Sequence, residues 1–240
     1  MKKRIFAIGD IHGQFLKLEK LMERLFIEKD DLVVFLGDYI DRGEMVYEVI
    51  EFLIKFNKNH NCVFLLGNHE DMFIDYLSGI NEKQFLWNKG IDTIKSYEEH
   101  GYNVGDPDYS KRLLPEGHME FLLNLKLYYE TKDYIFVHAG IMPSRSMDRQ
   151  DKDTLLWDRD FHYQYSETYK GPKTVIYGHT PGKFVKKDKF AICIDTGSCF
   201  MDYGDLTSIR LPEKVIIRQG DIDKDTYDYY NSEEKDNEDT

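Results

Sequence analysis

The chain is poor in three things that would otherwise narrow its fold or its place. It has three cysteines in 240 residues, Cys62, Cys193 and Cys199. An odd set without paired metal spacing makes no complete disulfide framework, and two of the three sit in apolar runs. Buried free thiols are therefore expected, rather than bridges or ligands. No apolar run approaches the roughly 20 residues needed to span a bilayer. The basic start, Met1 to Arg4, runs directly into Ile5-Phe6-Ala7-Ile8, which is too short for a signal core and reads as a strand. A cytoplasmic protein without a membrane partner is expected. Excess positive charge is also lacking: the formal net charge is −12. Binding to a nucleic-acid duplex is disfavoured, because counterion release needs a basic surface.

The negative charge is unevenly spread. From Asp221 to Thr240, nine acidic residues and two lysines carry seven of the twelve net charges. Residues 221–240 are expected to form a solvated, flexible tail, whose three tyrosines leave a docking role open. Residues 1–220 have the mixed charge and apolar content of a globular domain large enough to bury a core without staples.

Short β-rich runs recur at Ile5–Ile8, Leu32–Leu36, Cys62–Leu66, Tyr134–Val137, Thr174–Tyr177 and Phe190–Ile194, bounded by turn residues. Helical periodicity lies between the early ones, at Leu18, Leu21, Met22 and Leu25 and at Val46, Val49, Ile50 and Leu53. The first half is therefore βαβ in kind. Leu206–Leu211 and Lys214–Arg218, separated by Pro212-Glu213, read as a hairpin, so the sheet content is mixed. The stretch from about 71 to 131 is mostly helical in pattern and is expected to be a cap inserted within the domain.

The polar residues fall at telling places. Asp10 and His12 follow the first strand, Asp38 and Asp41 the second, Asn68 and His69 the third, His138 the fourth and His179 the fifth. Ligand sites of open α/β sheets lie at such carboxyl ends. One aspartate after a glycine is ordinarily a turn residue, and one histidine ordinarily a surface or core residue. Four of the eight histidines in Gly-flanked strand-end turns exceed that expectation; His60, His100, His118 and His162 do not. Oxygen ligands mixed with imidazoles suit Mn²⁺, Fe or Zn²⁺ better than Ca²⁺ or Mg²⁺. A pair of ions roughly 3.5 to 4 Å apart needs a bridging ligand, and the Asp38 carboxylate is the best candidate.

Gly9-Asp10-Ile11-His12-Gly13, Gly37-Asp38-Tyr39-Ile40-Asp41-Arg42-Gly43 and Gly67-Asn68-His69-Glu70 resemble the GDxHG, GDxxDRG and GNHE signature of the phosphoprotein phosphatase branch of calcineurin-like metallophosphoesterases. His138-Ala139-Gly140 and Tyr177-Gly178-His179-Thr180 resemble its two later histidine motifs, so the likeness runs from about Arg4 to Gly204. The resemblance implies an α/β fold of two packed mixed sheets flanked by helices. It implies that Asp10, His12 and bridging Asp38 hold one divalent metal, and that Asp38, Asn68, His138 and His179 hold a second, Mn²⁺ being the first choice. It further implies in-line attack by a metal-bridging hydroxide, with His69 as the acid oriented by Asp41. Asn68 and Arg42 would bind phosphate, the latter through its planar fork of donors. Arg159 resembles the second phosphate arginine of bacterial and phage enzymes, with Arg145 next in line.

Ile194-Asp195-Thr196-Gly197-Ser198-Cys199 departs from the SAPNYC-type segment of the eukaryotic protein phosphatases towards bacterial, phage and symmetrical diadenosine tetraphosphatase relatives. Glu70 after His69 leans towards the protein phosphatases. The expected reaction is phosphoester hydrolysis, with phosphoserine or phosphothreonine in proteins as the first substrate and a symmetrically cut dinucleoside polyphosphate or other small phosphate as the alternative. A noncatalytic phosphate-binding relative should have lost a ligand or the acid, and none is missing. The sequence carries no signal for oligomeric state.

Overall fold

The computed structural model describes residues 3–161, 169, 171–201 and 204–220. The acidic segment 221–240 and His162 lie outside the described residues. Five strands, β1 (Ile5–Ile8), β2 (Leu32–Phe35), β3 (Asn61–Phe64), β9 (Thr207–Leu211) and β10 (Val215–Arg218), form one sheet in the order β10-β9-β1-β2-β3. Five more, β4 (Tyr128–Glu130), β5 (Tyr134–Val137), β6 (Thr174–Tyr177), β7 (Lys186–Lys187) and β8 (Ala191–Cys193), form the second in the order β4-β5-β6-β8-β7. β1, β2 and β3 run parallel, as do β5, β6 and β8; β9 is antiparallel to both β1 and β10, and the edge strands β4 and β7 are antiparallel to β5 and β8.

Side-chain alternation shows why the two sheets pack face to face. In β1 and β2, Phe6, Ile8, Val33 and Phe35 turn to a core shared with helices, whereas Ala7, Leu32 and Val34 turn the other way. They meet Tyr134, Phe136, Ile176 and Ile192 of the second sheet between the layers. The alternate residues Ile135, Val137, Val175 and Tyr177 face a third core closed by Leu155 and Phe161. Strands buried on both faces must be apolar throughout, as these runs are. The result is helix, sheet, sheet, helix, the calcineurin-like arrangement that the resemblance implied.

On the outer face of the first sheet lie α1 (Phe15–Leu25) and α2 (Val46–Asn57). The segment expected to be a helical cap holds most of α3 (Asn68–Leu77), then α4 (Glu82–Trp87), α5 (Gly90–Glu99) and α6 (Glu116–Leu123), but ends in strand β4. α5 and α6 pack on α2, so this segment extends the outer helical layer. The short α7 (Lys152–Trp157) follows β5. All three cysteines are free, Cys193 is buried, and burial pushes the half-buried Cys62 thiol up to about 12. No helix among the described residues is long and apolar enough to cross a membrane.

Candidate metal centre

The parallel strands of both sheets deliver their carboxyl ends to one seam. Asp10 and His12 leave β1, Asp38 and Asp41 leave β2, Asn68 and His69 open α3 after β3, His138 leaves β5, and His179 leaves β6. All of these side chains are buried. The turns that carry them are strained: His12, Asp38, Asp41, Arg42 and His179 have φ of 50°, 52°, 66°, 67° and 65°. Left-handed backbone costs a non-glycine residue on the order of 1–3 kcal/mol and persists where the surroundings or the function impose it. Five of the nine such residues described are site candidates, so the strain collects at this seam.

The hydrogen bonds fix which imidazole nitrogens carry lone pairs. His12 Nδ1 donates to the Ile40 carbonyl at 2.8 Å, and His138 Nδ1 donates to the Leu36 carbonyl at 2.9 Å. Both Nε2 atoms are thereby left as acceptors. His138 Nε2 lies 3.0 Å from Asn68 Oδ1, 3.2 Å from His179 Nδ1 and 3.3 Å from Asp38 Oδ1. His12 Nε2 lies 3.5 Å from Asp38 Oδ2. Burial lowers the pKa of His12 and His138 and takes that of His179 down to about 2, so these rings are neutral.

More lone pairs than protons converge here. Asp38, His138 and His179 form one group that could hold a metal ion, and His12, Asp38 and His69 form another. Asp38 is common to both, as a bridging carboxylate must be. Asp10 is turned aside: its Oδ2 accepts the His179 N–H at 3.0 Å, while its buried Oδ1 has no partner. His179 Nε2 is likewise buried and unpartnered. Orphaned acceptors, neutral imidazoles and a shared carboxylate all fit a pair of divalent cations.

Carboxylates are in excess for a site without cations. Burial, with Asp195 and Asp38 nearby, pushes Asp10 well above the usual range, and burial takes Asp195 up to about 6. Asp38 goes the other way despite its own burial. Asp195 was missed from the sequence although it follows β8 at the same sheet edge; the strand-end rule that found the others would have found it.

Beside this cluster lies a histidine–carboxylate pair. His69 Nδ1 is 2.5 Å from Asp41 Oδ2. Burial opposes a charge on His69, but Asp38 and Asp41 outweigh it and raise its pKa. Arg42 Nη1 and Nη2 donate to the Nε2 atoms of His12 and His69 at 2.7 and 3.0 Å, so the guanidinium faces two imidazole lone pairs. Arg159 is exposed at the rim and reaches the His179 carbonyl at 3.3 Å, beside Trp157, whose ring meets His179 edge-on. Arg145 is not drawn in; it pairs with Asp151 on the outer surface.

Residues 3–183 match the calcineurin-like phosphoesterase family. The chain belongs to that family. This phosphoesterase is 27% identical over 233 residues to the asymmetrical bis(5'-nucleosyl)-tetraphosphatase PrpE of Anoxybacillus flavithermus, covering 88% of this chain and 91% of the relative. It is 28% identical over 229 residues to the PrpE of Bacillus subtilis, covering 86% and 90%. The crystal structure of a proposed diadenosine tetraphosphatase superposes with a TM-score of 0.67 at 20% identity, covering 91% of this chain and 93% of that one. A serine/threonine phosphatase of Saccharomyces cerevisiae superposes with a TM-score of 0.61 at 16% identity, covering 92% and 81%.

Proposed function

We propose that this phosphoesterase hydrolyses a phosphoanhydride bond of a dinucleoside polyphosphate, off centre, with two divalent cations. The substrate is supported by relatives of that printed activity whose likeness extends over about nine tenths of both chains. This puts dinucleoside polyphosphates ahead of phosphoproteins, the reverse of the order drawn from the motifs, and replaces the symmetrical cut expected there by an asymmetrical one. The carrying observation for the reaction is the convergence of His138 Nε2, Asn68 Oδ1, His179 Nδ1 and Asp38 Oδ1 in a buried, proton-poor cluster.

In this reading Asp10, His12 and Asp38 hold one cation, and Asp38, Asn68, His138 and His179 hold the other, with Mn²⁺ ahead of Fe or Zn²⁺ for a mixed oxygen and nitrogen set. When bound, the cations supply Lewis acidity, activating water and neutralising phosphoryl charge. Asp41 keeps the His69 proton on Nδ1, so a second proton taken up at Nε2 can pass to the leaving oxygen. Arg42 exchanges its imidazole partners for phosphate oxygens, to which its planar donors are better matched. Arg159 meets the substrate at the rim, and Asn68 can donate its amide N–H to phosphate. Hydrolysis of phosphoserine or phosphothreonine is the second reading, favoured by Glu70 after His69.

Turnover of diadenosine tetraphosphate and of phosphopeptides with Mn²⁺ tests this directly. Formation of ATP with AMP, faster than any phosphopeptide is cleaved, is expected. Faster phosphopeptide turnover would establish the second reading, and two molecules of ADP would refute the off-centre cut.

A further inference from the structure

The first motif loops explain how Asp41 and His69 are brought together, but not what holds the Asp41 carboxylate in register. A terminal carboxylate torsion is broad and roughly two-fold, so one bond to His69 leaves it free to rock. The second restraint comes from the helical segment outside every motif. Thr93 on α5 is fully buried, and its Oγ1 lies 2.5 Å from Asp41 Oδ1 and 3.0 Å from the Asp41 backbone nitrogen. A hydroxyl has one proton and two lone pairs. The Asp41 N–H takes a lone pair, and the proton goes to Asp41 Oδ1. With Oδ1 held, Oδ2 faces His69 Nδ1.

The contact belongs to a wider clamp. Three residues on, and so on the same face of α5, the buried Ser96 Oγ accepts the Tyr47 N–H at 3.1 Å. Two hydroxyls of one helix therefore secure the loop carrying Asp41 and Arg42 at both ends, Thr93 at Asp41 and Ser96 at the first turn of α2. Asp41 itself sits at φ 66°, a conformation that needs such outside support.

We propose that Thr93 is a positioning residue for proton delivery, acting through Asp41 to aim His69 at the leaving oxygen. This rests on the reading of His69 as the acid. In the step concerned, a hydroxide derived from water bonds to phosphorus as the bond from phosphorus to the leaving oxygen breaks; the leaving oxygen keeps that electron pair, and the proton on His69 Nε2 passes to it.

The test compares Thr93→Val, Thr93→Ser and His69→Asn in the metal-loaded enzyme, over aryl phosphates running from 4-nitrophenyl to 4-methylphenyl. Nitrophenolate departs well as an anion and gains little from a proton, whereas methylphenolate gains much. Thr93→Val is expected to lose about tenfold more kcat on the 4-methylphenyl ester than on the 4-nitrophenyl ester, a part of the roughly 10²–10⁴ that a general acid contributes. KM and metal content should change little, and Thr93→Ser should recover most of the loss. If Thr93→Val binds less metal or melts well below wild type, Thr93→Ala takes its place in the same series. A loss equal across the series, or no loss, while His69→Asn shows a steep dependence overturns the role of Thr93 and leaves the acid intact. A flat series for His69→Asn overturns both.

Discussion

Replacing Glu70 by glutamine is expected to remove a large part of the folding stability, although no substrate atom need touch it. The fully buried carboxylate gathers four backbone N–H groups. Oε1 accepts from Tyr39 at 2.8 Å and Ile40 at 3.2 Å, and Oε2 from Asp38 at 2.9 Å and Gly67 at 3.0 Å. It thus pins the strained turn after β2 to the start of α3. Glutamine has one acceptor oxygen; its amide nitrogen would meet two N–H donors with N–H bonds of its own. Each buried donor left unmatched costs about 1–3 kcal/mol, so two cost about 2–6 kcal/mol. A domain has about 5–15 kcal/mol in all. Urea unfolding of the metal-free protein should show a lower midpoint at unchanged slope, since the exposed area is the same. Glu70→Ala should fall further, because all four donors are orphaned and a cavity opens. A Glu70→Gln midpoint shift worth less than about 0.5 kcal/mol would mean that the turn is held by other contacts, and would refute the assignment.

The metal-free protein is expected to lose stability as pH rises above about 6.5. The neighbouring carboxylates of Asp38 and Asp41 raise His69, so the folded state holds a proton there that the unfolded chain has released. Below that window His12, His138 and His179, held neutral when folded, act in the opposite sense. Melting curves from pH 6.5 to 8 in chelator and in Mn²⁺ check this: the metal-free melting temperature should fall and the metal-loaded one should not, and a metal-free rise would refute it. Arg112→Met should destabilise the helical segment by about 2–4 kcal/mol in urea unfolding. That guanidinium is buried 3.8 Å over the Tyr76 ring and donates to the Tyr76 and Asp106 carbonyls and to Glu82. Gly178→Ala should fold but bind fewer than two metal ions by elemental analysis, because its Cβ would collide with Asp10 Oδ1; full occupancy would exclude Asp10 as a ligand.

The apolar runs mark the central strands well. Ile5–Ile8, Tyr134–Val137 and Thr174–Tyr177 coincide with β1, β5 and β6. β2, β3 and β8 stop short of their apolar runs, because Leu36, Leu65 and Ile194 continue into the core between the sheets after regular pairing has ended. β4 and β7 leave little trace: three and two residues long, they are defined by pairing with distant strands, not by their own alternation. The site is legible where chemistry is concentrated in short motifs. Thr93 is illegible because an ordinary threonine inside a helix becomes special only through a contact 52 positions away. His118, read as an ordinary surface or core histidine, is buried between Tyr97 and Glu51.

The seam on which the candidate ligands meet belongs to neither sheet. The bond from the His179 N–H to Asp10 spans 169 positions, and the one from His138 to the Leu36 carbonyl spans 102. A growing chain that has completed the first three strands owns Asp10, His12, Asp38 and Asn68, yet has nothing to face them. Capture of the second proposed cation, whose ligands would include His138 and His179, would therefore be a late event in the life of the polypeptide, coincident with docking of the second sheet. A bound ion would act as a further rivet between two layers already joined by apolar contact and by these hydrogen bonds, and its dissociation would be felt first as loosening along that interface.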